Sequence, residues 1–511
     1  MTNFTAFLDI NARFEDKPAL VHPTSGRSCT YRELLAETMH VASGLAALGI
    51  SKGDRVCIYL DSSPEYLISF CAVWRAGAIA VPLNIALRKG EVRYHVDDAG
   101  AKALITSKQG WETARGACSR TATLSSVIIV DGDIKGTIRW SSLGEQGVTV
   151  PPVHCDCNDL CQLQYTSGTT GKPKGAMLTH GNWMAAMDAE RDVLDLCKED
   201  VYLGIYPMAH VGVSWGIAVL KAGGTWVIME RFDLDRYLDL VESTKATVVA
   251  GMPPVIHSLL ETPPGTEEKF ASARLMISGG GPLHPHVWKA FHTRFGTPIV
   301  NAYGLSETIV VGTGTAIRPE DYETADEFRS VGKPVGYSEV TIVDLNDPSV
   351  SLPAGEVGEI ALRGPAVARG YWNMPGATRD VFLPDGWFLT GDIGYIDADG
   401  MLAITDRKKD MIVMSGWKIY PTEVEKVLIE HPGIRDVAIF GIPDLHRGEI
   451  PVAAVVPEKG CIISPEDLMA FGKARLAGYK VPRKVVILDE LPRVHGWKLL
   501  RRDLRDRFRE A

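Results

Sequence analysis

Tyr165-Thr166-Ser167-Gly168-Thr169-Thr170-Gly171-Lys172-Pro173-Lys174-Gly175 is the stretch on which the reading of this chain turns. Four aliphatic hydroxyls, three glycines and two lysines fall within it, directly after the apolar run Leu160 to Leu163. That composition suits a grip on polyphosphate. Glycines let backbone N–H groups approach oxygens closely, hydroxyls donate, and lysines supply positive charge. A flexible surface turn would account for Gly and Ser but not for two lysines bracketing a proline. A Walker loop is excluded, because Thr166 stands where its first glycine belongs and Pro173 follows Lys172. The dinucleotide pattern GxGxxG is absent here. It fails again at Gly279-Gly280-Gly281, where His284 takes the place of the third glycine.

Composition narrows the class. With 511 residues, the chain is long enough for more than one domain. Apolar and charged contents of 45% and 23% are those of a globular protein. A net charge of −9 gives no electrostatic case for nucleic acid or an anionic membrane surface. No apolar run reaches the ~20 residues of a bilayer span, and Met1 to Arg13 lacks a secretory pattern. The nine cysteines have no disulfide-framework spacing, which fits a reducing compartment, so the expected location is the cytoplasm.

Up to Lys135 the chain alternates helix and strand signals. Thr30 with Glu33 makes a capping box, Val56–Leu60 reads as a buried strand, and Ser63-Pro64 opens a helix. Further strands are expected near Ala78–Pro82, Ala103–Thr106 and Val127–Val130, the rhythm of an α/β layered fold. His154, Cys155, Cys157 and Cys161 invite a zinc reading. Cys-x-Cys is too tight for the usual ligand spacing, however, and Cys161 falls in an expected buried strand, so these read as structural or incidental cysteines. From Val331 the pattern changes to short strands with glycine turns, a small antiparallel or barrel-like section. The C-terminal segment after it reads as a compact α+β unit ending in a basic amphipathic helix.

Other segments carry chemistry-bearing residues. Pro207-Met208-Ala209-His210-Val211-Gly212 is a turn beside an apolar helix; Ser278-Gly279-Gly280-Gly281-Pro282-Leu283 is, alone, an ordinary glycine turn. Asn301-Ala302-Tyr303-Gly304-Leu305-Ser306-Glu307-Thr308 follows the expected strand Pro298–Val300. There Tyr303 can stack on a base and Glu307 can hold Mg²⁺, although Glu307 alone reads as a solvated carboxylate. Asp392, after the glycine turn of Gly391, can accept two ribose hydroxyls with help from an arginine. The run Asp406-Arg407-Lys408-Lys409-Asp410 reads as an exposed charged loop.

Taken together, these motifs resemble the adenylate-forming enzymes: acyl-CoA synthetases, luciferases and the adenylation domains of peptide synthetases. They occur in that family's order from about Thr30 to Arg501. The resemblance implies an N-terminal adenylate-forming domain over 1–406, built of two βαβ-type subdomains and a small β-barrel. A hinge over 407–410 with its pivot at Lys409 and a mobile α+β C-terminal domain over 411–511 would follow. It implies Lys498, His210 and the pivot Lys409 as catalytic residues. Thr166, Ser167, Gly168, Thr169, Thr170, Lys174, Gly280, Gly281, Asn301, Ala302, Tyr303, Gly304, Thr308, Asp392 and Arg407 would bind nucleotide. Glu307 and Thr166 would hold Mg²⁺. Met208, Ala209, His210, Val211, Trp215 and Ala302 would line the acid pocket. Gly416, Trp417 and Arg231 would face coenzyme A. The implied co-substrates are ATP and coenzyme A with a small carboxylic acid; nucleic acid is not an expected partner, and a monomer and a homodimer both stay open.

The chain departs from the family in three places. Gly496-Trp497 replaces the usual Thr-Gly before the lysine. Ala209 stands where many members have an aromatic, which widens the pocket near the carboxylate. Ala302 stands where long-chain and coumarate-type members often have glycine, and its methyl narrows the tunnel. The expected substrate is therefore a compact acid: short to medium, branched, or with one ring. Three alternatives stand beside a CoA ligase: an enzyme loading a carrier protein, an oxidase of the luciferase kind, and an idle nucleotide-binding scaffold.

Overall fold

The computed structural model describes residues 3–118, 121–144, 152–166, 172–280, 283, 285–322, 330–494 and 498–509, with the backbone alone for Pro285, His286, Val494 and Lys498. Ser167, Gly168, Thr169, Thr170 and Gly281 lie outside the described residues. The chain divides into two compact units, Met1–Val340 with Ala361–Leu389, and Thr341–Ile360 with Thr390–Ala511.

The first unit carries two mostly parallel sheets with helices between their strands, the α/β layering expected from the alternating signals. In one sheet the order is Ile138–Arg139, Ser126–Ile129, Ala103–Thr106, Arg55–Leu60, Ile79–Asn84, Leu160–Thr166 and Lys174–Thr179. All neighbours are parallel except the last pair, an antiparallel hairpin with Thr166 opposite Lys174. The strands on either side of the hydroxyl- and glycine-rich stretch are thus antiparallel partners. Within the same unit the second sheet runs Ser330–Pro334, Val310–Ile317, Ile299–Leu305, Leu275–Gly279, Val248–Ala250, Val201–Gly204, Thr225–Ile228, Pro18–His22 and Arg27–Thr30. Its central members, from Ile299–Leu305 to Pro18–His22, pair in parallel.

Local chemistry fixes the helix starts. Thr30 and Glu33 form the expected capping box, Ser63 caps the helix Pro64–Arg75 with proline at its first position, and Thr179 with Asn182 caps His180–Leu194. The helix Pro64–Arg75 is buried along almost its whole length. That explains its lack of a polar face.

Two boundaries differ from expectation. The strand expected to end at Val300 continues to Leu305, so the Asn301–Leu305 half of its motif is strand rather than loop. Its neighbour Val310–Ile317 pairs with it antiparallel and supplies the hydrogen bonds that extend it. The barrel-like section is an open path of strands, Glu339–Val343, Gly358–Arg363, Phe388–Ile396 and Leu402–Arg407, without closure in the described strand order.

In the second unit, Ile434–Asp444 pairs with Gly448–Pro457 in a long antiparallel hairpin, joined by Ile412–Met414, Trp417–Ile419 and Lys484–Ile487. One apolar cluster packs Pro421–Leu428 and Pro465–Lys473 on one face through Val424, Leu428 and Leu468. On the other face Leu504 of the C-terminal helix Arg501–Phe508 joins Phe440 and Val452. In the first unit, Cys161 lies in the strand Leu160–Thr166, its thiol donating to the Leu178 carbonyl. No helix among the described residues is long and apolar enough to cross a membrane.

Candidate active site

Tyr165 and Pro173, on the two sides of the hydroxyl- and glycine-rich stretch, are both pinned to one helix, Lys89–Ala99. The Tyr165 hydroxyl donates to the Asp98 carboxylate at 2.6 Å, and the Tyr94 hydroxyl donates to the Pro173 carbonyl at 2.8 Å. Such anchoring fixes the start of the strand that Lys174 opens. The Lys174 ammonium lies 4.9 Å over the Tyr371 ring, a cation–π contact. Tyr371 in turn donates its hydroxyl to Glu307 at 2.8 Å. Burial and the adjoining carboxylate push the Tyr371 hydroxyl well up, so it stays a donor.

Glu307 corrects an expectation. Only 7% exposed, it is a buried carboxylate and not a solvated one. The turn that carries it is strained: Ile309 and Val310, both β-branched, have φ of 49° and 50°. Gly304 is obligatory at this point, because a Cβ there would lie 1.6 Å from the Val310 carbonyl oxygen. The Leu305 N–H donates to the Thr308 hydroxyl at 3.0 Å, and that hydroxyl donates to the Val310 carbonyl at 3.0 Å. Thr308 therefore spends its side chain on holding the turn. Strain and glycine together bring Glu307 to Tyr371, which is distant in the chain.

The strands Leu275–Gly279 and Ile299–Leu305 place Ser278 opposite Asn301. The Ser278 hydroxyl and the Asn301 side-chain oxygen are buried, and among the described residues neither has a partner. A buried acceptor without a donor is costly, of order 1–3 kcal/mol, so this pair fits the polar edge of a ligand. Ala302 and Tyr303 follow on the same strand, both buried. A Cβ on Gly279 would lie 3.0 Å from the Ala302 carbonyl oxygen, so Gly279 lets these two strands approach. Gly280, at φ +81°, then turns the chain out of the sheet.

The expected acid-pocket residues other than Ala302 share one segment. Met208, Ala209, Val211 and Trp215 are buried. The Met208 N–H donates to Ser62, and Gln164 donates to the Ala209 carbonyl, both at 3.1 Å. His210 is exposed, its Nε2 3.1 Å from the Asn84 amide nitrogen. Arg231, also exposed, lies 3.9 Å from Asp61.

Beside this segment Glu190 is fully buried, accepting a hydrogen bond from Ser214 at 2.6 Å while its second oxygen has no partner among the described residues. Burial holds its carboxyl well above the usual range, and the Ser214 bond only partly opposes that. As pH rises past the ordinary glutamate value of about 4.3, the unfolded chain releases this proton and the fold keeps it, so the group lowers stability. Glu190→Gln should therefore melt above the wild type at about pH 8 and with it at about pH 4. A difference in Tm independent of pH would contradict the assignment.

In the second unit, Asp392 and Arg407 are opposite each other on paired strands, with Nε and carboxylate 3.3 Å apart. The charged run is less open than expected. Asp406 and Asp410 are 4% and 8% exposed, while Arg407 and Lys409 face outward. Asp406 is buried because it accepts the Thr422 N–H at 2.9 Å, at the start of the helix Pro421–Leu428. Ser415 and Gly416, at φ 50° and 84°, make a two-residue hairpin turn between Met414 and Trp417. Trp417 is 58% exposed and stacked on Tyr479, with ring centroids 4.7 Å apart.

Sequence reasoning missed Tyr371, Asn84, Glu190 and Tyr479. Gly370-Tyr371-Trp372 reads locally as a turn in the strand-rich section, and nothing near it marks Glu307 as a partner. Among the described residues no three His, Cys, Asp or Glu side chains gather as a metal cluster. Mg²⁺ usually takes one or two carboxylates and completes its shell with phosphate and water. The buried carboxylate of Glu307 with the Thr166 hydroxyl fits that donor set.

The AMP-binding enzyme family matches residues 7–372, and the AMP-binding enzyme C-terminal domain matches 423–496. This chain belongs to the AMP-binding enzyme family, and its similarity over nearly its whole length to CoA ligases and synthases makes it an AMP-forming acid–thiol ligase. It is similar to 4-coumarate–CoA ligase 3 of Oryza sativa subsp. japonica, 34% identical over 99% of this chain and 91% of the relative. It is equally similar to the feruloyl-CoA synthase of Amycolatopsis sp, 34% identical over 94% of each chain. Among solved structures, ATP-bound MatB from Rhodopseudomonas palustris superposes with a TM-score of 0.88. It is 30% identical over 98% of this chain and 99% of that one.

Proposed function

We propose that this enzyme joins a compact carboxylic acid to coenzyme A through an acyl-adenylate, releasing pyrophosphate and then AMP. The observation that carries the reading is the line Lys174, Tyr371 and Glu307 beside the strand pair Leu160–Thr166 and Lys174–Thr179. It offers a cation and a buried carboxylate held in place by the Tyr371 hydroxyl, the two charges that a magnesium-bound triphosphate would need.

First, the acid's carboxylate oxygen attacks the α-phosphorus of ATP and the bond to pyrophosphate breaks. Lys174 and Lys498 are assigned to the charge that builds on the phosphoryl oxygens. Mg²⁺, when bound at Glu307 and Thr166, would neutralise phosphate charge. Asn301 and Ser278 would satisfy the base edge, Tyr303 would stack on it, and Asp392 with Arg407 would hold the ribose. Second, the thiol sulfur attacks the acyl carbonyl, AMP leaves, and the thiol proton passes to solvent. Residues 407–410 are the assigned hinge between the two steps, with the pivot at Lys409 and with Gly416 and Trp417 serving coenzyme A. His210 closes the acid's end of the pocket. Charge and cysteine usage favour the cytoplasm.

For the acid, Ala302 is the discriminating residue. Its methyl stands on the strand that carries Tyr303, and similarity to ligases named for coumarate and ferulate supports a single-ring acid. Each methylene contributes only ~1–3 kcal/mol of discrimination, so the preference is graded. Ala302→Gly should raise kcat/KM for longer acids relative to short ones, measured over a ladder of straight-chain and single-ring acids. A wild type that already favours palmitate would overturn this pocket reading. Transfer to a carrier protein in place of coenzyme A would be seen by offering both thiols in one reaction.

A further inference from the structure

The charged run is held from both sides, and the two holds differ. On its N-terminal side the Lys408 N–H donates to the Gly391 carbonyl at 2.8 Å. The Lys408 ammonium pairs with buried Glu359 at 2.6 Å, and Glu359 also accepts the Gly391 N–H at 3.1 Å. On its C-terminal side Arg505 of the C-terminal helix donates to the carbonyls of Lys409 and Asp410 at 3.2 and 3.3 Å. The same guanidinium lies 3.3 Å from the Asp410 carboxylate, and Arg501 approaches that carboxylate at 3.8 Å. Arg501 is itself fixed by two bonds to buried Glu425, at 2.7 and 2.8 Å.

We infer that Arg505 is a positioning residue that confines the hinge rotation to the φ and ψ of Lys409 alone. The inference rests on the proposed pivot at Lys409. A rotation about that residue leaves Lys408 N–H with the preceding strands and carries the Lys409 carbonyl along with everything after it. Arg505 ties that carbonyl and the next one to the helix Arg501–Phe508, which begins shortly after Lys498. The peptide following the pivot and the segment bearing Lys498 therefore move as one body. Without the clamp, rotation spreads from Lys409 into Asp410 and Met411, whose N–H groups are bonded to the Arg407 carbonyl. The carbonyls of Lys409 and Asp410 then lose the guanidinium, leaving the 3.8 Å approach of Arg501 to the Asp410 carboxylate.

The test is a suppressor experiment on the full chain. Adenylation is followed by ATP–pyrophosphate exchange, and thioester formation from a supplied acyl-adenylate of the best acid in the ladder. Lys409→Pro locks φ in the narrow range of the proline ring and should block one half-reaction. Arg505→Met alone should lower turnover. Added to Lys409→Pro, it should restore the blocked half-reaction several-fold, because neighbouring residues can then absorb the rotation. Arg505→Lys, which reaches one carbonyl at a time, should restore less. Loss of a merely structural contact could not raise activity, so a double variant no better than Lys409→Pro overturns the inference. In parallel, trypsin should cut after Lys409 several-fold faster in Arg505→Met, with distant sites unchanged. Equal cutting in the two proteins also overturns it, and this readout decides even if the double variant folds poorly. If Lys409→Pro blocks neither half-reaction while trypsin shows the clamp, the hinge position is at fault rather than the contact.

Discussion

Lys498→Ala should slow adenylate formation by on the order of 10² or more, the loss expected when one transition-state charge contact is removed. Thioester formation from a supplied acyl-adenylate should be nearly unchanged, because the lysine is assigned to the phosphoryl transfer only. Lys498 opens the short strand Lys498–Leu499, and Arg501, which starts the chain's last helix just beyond that strand, anchors on Glu425. The lysine's backbone therefore has a firm attachment on one side. Its preceding Gly496-Trp497 lies outside the described residues. Equal loss in both half-reactions, measured by pyrophosphate exchange and by thioester release, would remove Lys498 from the first step.

A loss of similar size, on the order of 10² in adenylation, is expected for Glu307→Gln. The substitution keeps the side chain's shape and can still accept from Tyr371, so the turn around Gly304 should survive and Tm should move little. What it removes is the negative charge. The Mg²⁺ concentration for half-maximal rate should therefore rise together with the fall in kcat, while the KM of the acid stays near its wild-type value. A variant with an unchanged Mg²⁺ dependence would make Glu307 a structural carboxylate held for Tyr371. Tyr371→Phe separates the two contacts, since it deletes the hydroxyl and leaves the charge.

The α/β layering was legible because its signals are local. Thr30 with Glu33, Ser63 with Pro64 and Thr179 with Asn182 each declare a helix start within a single turn, and the buried strands stand out as short apolar runs. The segments assigned to the candidate site stand out by resemblance. Their physical setting does not. Glu307 reads as solvated until Tyr371 is folded against it, and Asp406 and Asp410 look exposed until Thr422, Arg501 and Arg505 claim them. Burial of a charge depends on partners far along the chain, which no local pattern encodes. The strand through Asn301–Leu305 was missed for a related reason. Its ladder partner Val310–Ile317 follows a strained turn at Ile309 and Val310, and β-branched residues do not announce a positive φ.

The central claim is that one active site makes an acyl-adenylate and hands the acyl group to coenzyme A. Purified full-length enzyme should be incubated with ATP, Mg²⁺, coenzyme A and a panel of acids from acetate through single-ring propenoic acids to palmitate. AMP and thioester are then quantified by mass spectrometry in the same samples. The account predicts AMP and acyl-CoA in equal amounts for compact acids, with acyl-AMP accumulating when coenzyme A is omitted. ADP in place of AMP, or AMP release with no thioester for any acid, would contradict it.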